Sequence, residues 1–268
     1  MHFKSNLISV SDTSIHLVEY GQGEPLVLLH GLTNNWEGHI PLAKELGKHF
    51  KLYIPDLPGY GDSGKLPKYN IQIMGDFLHS IIRKLNISPV SVAGVSMGGV
   101  IVADYILKYI GETRTAIVIG PTLSDKDHKM QILKYILESS GWIPGGKEAL
   151  KKIIETKFHA YTMAKYLNMH IFNKELIDMY GMNGKKKMTK EAYVEMGISV
   201  AEYDLDTALK KTSIPTLLIY GKEDKISSYR FAETQVIPYN RNLNLKIIND
   251  AGHIVSLEKP KETAREIK

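Results

Sequence analysis

The stretch Val90-Ser91-Val92-Ala93-Gly94-Val95-Ser96-Met97-Gly98-Gly99-Val100 decides how this 268-residue chain is read. Residues 90–93 are a short, nearly continuous apolar run, the pattern of a strand buried on both faces. Val100, Ile101, Tyr105 and Leu107 follow in a helix. Between them lies Gly-x-Ser-x-Gly, a weak signal in isolation, because a glycine-rich loop with an incidental serine also satisfies it. Set between a buried strand and a helix, the pattern describes a strained turn that lifts a serine hydroxyl above the strand end. Gly94 and Gly98 have no Cβ, so strand and helix can approach closely around it.

Outward from this turn the same rhythm repeats. Apolar runs occur at residues 15–20, 25–29, 51–54, 116–119, 216–220 and 243–248. Ile73, Phe77, Leu78, Ile81, Ile82 and Leu85 fall at three- and four-residue intervals, one apolar face of a helix. Strand alternating with helix predicts an α/β fold with a mainly parallel, doubly wound sheet. The rhythm stops between about Pro121 and Asp206, a segment holding seven of the ten methionines and six tyrosines. Leu150, Ile153, Ile154, Lys157 and Phe158 suggest one helix there, and the residues from Tyr166 to Phe172 another. The expected organisation is a core of residues 1–121 and 207–268 carrying a helical cap, residues 122–206.

Composition narrows the function classes. At 43% hydrophobic and 24% charged the chain is globular in type. No apolar stretch reaches 18 residues, so no transmembrane helix and no stable membrane insertion are expected. The first residues lack a secretory pattern, and the absence of cysteine removes thiol catalysis, disulfides and cysteine-ligated metals. A cytoplasmic location is expected. The net charge of +5 is spread thinly, with 13 Lys+Arg against 12 Asp+Glu in residues 122–206. Lys185-Lys186-Lys187 is the one dense run and reads as a solvated loop. No nucleic-acid partner is expected.

A serine hydroxyl is a poor nucleophile unless a base, itself oriented by an acid, takes its proton. Two later strands end in suitable groups: Gly221-Lys222-Glu223-Asp224 and Asn249-Asp250-Ala251-Gly252-His253. Both lie at a strand's carboxyl end, the edge where open α/β sheets place their sites. The acid is to be drawn from Glu223, Asp224 and Asp250, the last also suiting a turn. Asp104 reads as a solvated helix residue. His16, His39, His49, His79 and His128 show no metal-ligand spacing, so no metal and no cofactor are expected. His159 and His170 lie in the insertion, where they would be able to face substrate.

Taken together, these residues resemble the α/β-hydrolase fold superfamily over essentially the whole chain. The match comprises His30-Gly31 after an early strand, the cluster Asp56-Leu57-Pro58-Gly59-Tyr60-Gly61-Asp62-Ser63, the Ser96 turn, Asp224, and Gly252-His253. The resemblance implies that Ser96 is the nucleophile, His253 the base and Asp224 the acid that orients it. It implies an oxyanion hole from the backbone N–H groups of Leu32 and Met97, with His30 ordering the loop behind Gly31. The residue 56–63 cluster lacks a phosphate-loop lysine and reads as scaffold. Serine at the turn disfavours the dehalogenases and epoxide hydrolases of this fold, which place aspartate there. The expectation is a serine hydrolase of small to medium, largely apolar carboxylic esters, with Trp36, Met163, Met169 and Tyr193 contacting a small-molecule substrate. A thioesterase, a C–C hydrolase of vinylogous diketones, a proline iminopeptidase-like enzyme and a non-catalytic small-molecule receptor are the alternatives.

Overall fold

Eight strands form one sheet in the computed structural model, which describes residues 2–121 and 128–268. They are β1 (Lys4–Val10), β2 (Thr13–Gly21), β3 (Glu24–Leu29), β4 (Phe50–Pro55), β5 (Val90–Val95), β6 (Thr113–Ile119), β7 (Thr216–Gly221) and β8 (Leu243–Ile248), ordered β1-β2-β4-β3-β5-β6-β7-β8. The pairs β1/β2 and β2/β4 are antiparallel, and all the others are parallel. The expected strand runs correspond to β2–β8. Strand β1 was hidden because it lies at the sheet edge, mostly unburied, and its residues alternate with polar ones.

The period of two along each strand divides the core. Leu26 and Leu28 face a layer built from α1 (Ile40–Leu46), while Val27 and Leu29 face α2 (Ile71–Leu85) and α3 (Met97–Lys108). Helix α2 starts where the Asn70 side chain accepts the Ile73 N–H and ends at Asn86 in the left-handed region (φ 53°). Asp104 of α3 is not solvated as expected. It is 5% exposed and pairs with Lys108, because helices on both sides crowd this face.

Between β6 and β7 the chain forms α4 (His128–Trp142), α5 (Gly146–Ile154), α6 (Lys157–Met163), α7 (Lys174–Tyr180), α8 (Met182–Lys187), α9 (Lys190–Glu202) and α10 (Leu205–Lys211). Residues 122–127, the start of the expected insertion, lie outside the described residues. The single helix expected from Leu150 to Phe158 is two, parted where Thr156 caps α6 by accepting the His159 N–H. The helix expected from Tyr166 to Phe172 is a π-turn, Ala164–Asn168, followed by irregular chain. Leu137, Ile154, Met188, Tyr193 and Met196 belong to the same apolar cluster as the sheet face, so these helices pack directly on the α/β layer. A second cluster of Ala160, Ala164, Met169, Ile177 and Met182 is their own. The chain closes with α11 (Tyr229–Gln235), α12 (Val255–Glu258) and α13 (Pro260–Ile267). Among the described residues, no helix is long and apolar enough to cross a membrane.

Candidate active site

Ser96 stands at the turn from β5 to α3 with φ 52° and ψ −116°, a conformation costly for any residue with a side chain. The turn is held by the Ser96 N–H, which donates to the Ile119 carbonyl at 2.8 Å. It also needs backbone contact that only glycine permits. A Cβ on Gly94 would lie 2.1 Å from the Gly98 carbonyl oxygen, and one on Gly98 would lie 2.5 Å from that of Leu29.

Two loops from the neighbouring strands converge on this hydroxyl. His253 Nε2 lies 3.0 Å from Ser96 Oγ, and its Nδ1 lies 2.9 Å from Asp224 Oδ2. The Asp224 side chain is fully buried, and its Oδ1 accepts the N–H groups of Ile226 (2.8 Å) and Ser227 (2.9 Å). A carboxylate can only accept, so His253 carries its proton on Nδ1 and offers Nε2 as acceptor to the serine hydroxyl. Of the three acids open in the sequence, Asp224 alone meets the imidazole. Glu223 Oε2 instead accepts the Ala251 N–H at 3.0 Å, joining the two loops, and Asp250 is a turn residue with φ 53°.

The loop after β3 lies beside the serine: a Cβ on Gly31 would sit 3.6 Å from Ser96 Cβ. Its anchor is His30, which donates from Nδ1 to the Gly31 carbonyl at 2.9 Å and accepts the Leu57 N–H at Nε2 at 3.0 Å. Burial holds the His30 imidazole below its ordinary range, which suits this neutral double role. Neither the Leu32 nor the Met97 N–H donates to an acceptor among the described residues. Beneath them Asp56 accepts from His16 Nδ1, Trp36 N and Asp62 N. Burial opposes the Asp56 charge, yet these bonds, His16 first, hold the carboxyl below its usual value. His16, Asp56 and Asp62 bring ligand atoms within 4.8 Å of one another. Their lone pairs are occupied in this knot and in an Asp62–Lys187 ion pair, so the cluster serves the loop as scaffold.

The helices after β6 reach the loops on either side of this centre. Met169 is buried beside Met182 and half-buried Ile254, the neighbour of His253. A Cβ on Gly197 of α9 would meet Leu137 and Leu32. Tyr193 is buried in the main cluster, and Met163 is half-buried. Trp36 is not brought to these contacts; its ring packs on Phe3 and His16, and its backbone N–H donates to Asp56 Oδ1. Met179, an apolar insertion residue, is 62% exposed.

Three contributors escaped the sequence. Tyr60 donates its hydroxyl to the Ala192 carbonyl at 3.2 Å and lies 3.8 Å from Met97 Sδ, tying the turn to α9. Glu258 accepts the N–H of Gly252 (2.8 Å) and that of His170 (2.8 Å), clamping the histidine loop to the insertion, and burial raises its carboxyl. Lys185 is buried rather than solvated. None carries a local pattern that marks it, since the Tyr60–Ala192 and Glu258–His170 contacts each span more than 80 residues and Lys185 is distinguished by burial alone.

A model of the alpha/beta hydrolase fold matches residues 24–260 of this chain. Human monoacylglycerol lipase ABHD6 is 22% identical over 258 residues, covering 91% of this chain and 74% of that protein. Lipase 3 of Moraxella sp. (strain TA144) is 25% identical over 254 residues, covering 92% and 76%. A thermophilic esterase from Thermogutta terrifontis superposes with a TM-score of 0.78 at 21% identity, covering 98% of this chain and 96% of that one, which shows the shared fold alone.

Proposed function

Because the chain belongs to the α/β-hydrolase fold family, we propose that it is a serine hydrolase that cleaves carboxylic esters through an acyl-enzyme. The observation that carries this reading is the continuous relay Ser96 Oγ, His253 Nε2, His253 Nδ1, Asp224 Oδ2, with links of 3.0 and 2.9 Å. In it Ser96 is the nucleophile, His253 the base and Asp224 the orienting acid. As Ser96 Oγ bonds to the ester carbonyl carbon, its proton passes to His253 Nε2 and the carbonyl oxygen becomes an oxyanion. The Leu32 and Met97 N–H groups receive that charge; a single such donor typically contributes ~10²–10³ in rate. Collapse breaks the C–O bond, and His253 hands its proton to the departing alcohol. Water then repeats the sequence on the acyl-serine, releasing the acid and restoring Ser96.

The helices within residues 128–206 serve as the cap over this centre, with Met163, Met169 and Tyr193 shaping the acyl side. The apolar residues Leu32, on the proposed oxyanion loop, and Ile254, next to His253, favour an ester with a small to medium apolar body. Lipases among the relatives support acyl-ester chemistry. The test is hydrolysis of 4-nitrophenyl esters of graded chain length, with an organophosphate as label. Turnover and a mass increment on the Ser96 peptide are expected. Turnover unaffected by complete labelling of Ser96, or no turnover with any acyl chain, would remove the proposal.

A further inference from the structure

Glu258 closes the short helix α12, which begins two residues after His253. Its N–H donates to the Ile254 carbonyl at 3.1 Å, so its side chain leaves a helical turn built directly on the histidine loop. The two carboxylate oxygens serve different parts of the molecule. Oε1 accepts the Gly252 N–H at 2.8 Å, within the histidine loop. Oε2 accepts the His170 N–H, also at 2.8 Å, from the insertion between β6 and β7. A second contact runs alongside, where Ile254 packs on the apolar cluster that contains Met169, the neighbour of His170.

The backbone at Gly252 has little freedom elsewhere. A Cβ on Gly221, at the end of β7, would lie 2.2 Å from the Gly252 carbonyl oxygen, and one on Gly120 would lie 2.9 Å from that of His253. The preceding N–H, of Ala251, is taken by Glu223 Oε2 at 3.0 Å. Two carboxylates thus fix consecutive N–H groups just ahead of the base. Glu223 ties them to the loop of Asp224, inside the core, whereas Glu258 ties them to a segment 88 residues earlier in the chain. Both partners of Glu258 are N–H donors, and a carboxylate offers an acceptor to each; an amide of the same shape must turn its NH₂ toward one of them. Burial raises the Glu258 carboxyl, and the Gly252 and His170 N–H groups act against that rise. The relay beyond Gly252 has links of 3.0 and 2.9 Å, and a displacement of about 1 Å in such a geometry costs ~10² in rate.

We propose that Glu258 is a positioning residue that couples the cap to the base, holding His253 in line with Ser96 only while the His170 segment of the cap is seated against it. This deepens the serine-hydrolase reading and rests on it. Turnover then depends on the seating of the cap even for an acetyl ester, whose acyl group is too small to need the cap as a binding wall.

His170→Pro deletes the donor on the cap side and touches no member of the relay. Met169 before it is extended (φ −115°, ψ 144°), the conformation a following proline requires, and His170 is exposed, so the fold should hold. His170→Ala, which keeps the N–H, is the reference. Against it, kcat for 4-nitrophenyl acetate should fall about tenfold to a hundredfold with KM nearly unchanged, and Glu258→Gln should do the same against wild type. The double variant should be no worse than the more impaired single one, since both changes break one link. The rate at which an organophosphate modifies Ser96 should fall by a similar factor, because it reports the Ser96–His253 pair without turnover of an ester. Thermal melts identify the folded variants. An unchanged acetate kcat in folded His170→Pro, with only the KM of longer esters raised, overturns the coupling. Losses that multiply in the double variant also overturn it, as two independent defects. Should His170→Pro fail to fold, wild-type acetate kcat and wild-type labelling in Glu258→Gln defeat the coupling. Slower Ser96 labelling in both variants, with no ester hydrolysed by the wild type, supports the coupling and defeats the ester-hydrolase reading instead.

Discussion

Replacing Asp224 by asparagine separates charge from shape at this centre. Asp224 Oδ1 accepts two backbone N–H groups, from Ile226 at 2.8 Å and Ser227 at 2.9 Å. An asparagine must keep its carbonyl oxygen there, because the reversed amide would set its NH₂ against both donors. The NH₂ group then faces His253 Nδ1, which must become an acceptor. The imidazole proton moves to Nε2, facing Ser96 Oγ, and the base is lost. A wrong tautomer of this kind costs ~10⁴ in kcat, or about 5 kcal/mol of transition-state stabilisation. KM should change little, since the Asp224 side chain is fully buried beneath the histidine. The fold should also survive, because both backbone bonds are retained. Asp224→Ala is the contrast: it leaves two N–H groups without an acceptor, at roughly 1–3 kcal/mol each, and should lower Tm as well as activity. Steady-state hydrolysis of 4-nitrophenyl butyrate and thermal melts of both variants give the comparison. Asp224→Asn retaining a tenth of wild-type kcat would refute the reasoning, and a ~10⁴ loss in Glu223→Gln would point to the neighbouring acid.

Further outcomes follow from other parts of the structure. Ser96→Gly should lower kcat by ~10⁶ while raising Tm by a few degrees, because glycine relieves the φ 52° strain of roughly 1–3 kcal/mol against an entropy cost of about 0.5–1; a lowered Tm would show that the turn is unstrained. His39 is buried, and that burial takes its imidazole to about 3, so the unfolded chain binds this proton more readily than the folded one. Its contribution is complete above about pH 6.5 and declines as the pH falls toward 3, by up to about 1.4 kcal/mol per pH unit. Denaturant melts of His39→Leu should show a shallower acid loss than wild type, and parallel curves would contradict this. Met169→Trp should shift ester preference toward shorter acyl chains by a few carbons, since a pocket weighs each methylene at ~1–3 kcal/mol. Equal loss of acetyl and hexanoyl turnover would make Met169 a packing residue only.

Local rules were enough for much of this architecture. Strands buried on both faces are written in short, nearly continuous apolar runs, and amphipathic helices in spacings of three to four residues. The Ser96 turn is written in its glycines; the steric demand on Gly94 arises within five residues of chain, although that on Gly98 comes from the Leu29 carbonyl of a neighbouring strand. The order of the serine, the acids and the histidine along the chain could likewise be read directly. Other features depended on what distant segments bring to the same place. Whether Glu223 or Asp224 meets His253 turns on how the β7 and β8 loops interlock, and adjacent carboxylates are equivalent until that happens. Strand β1 looks polar because only a sheet edge needs it. Asp104 and Lys185 look like surface charges, since charge patterning records residue type and not what later packs over it. Burial is set by long-range packing, so only the tertiary structure could bury one lysine of three and leave its neighbour Lys186 exposed.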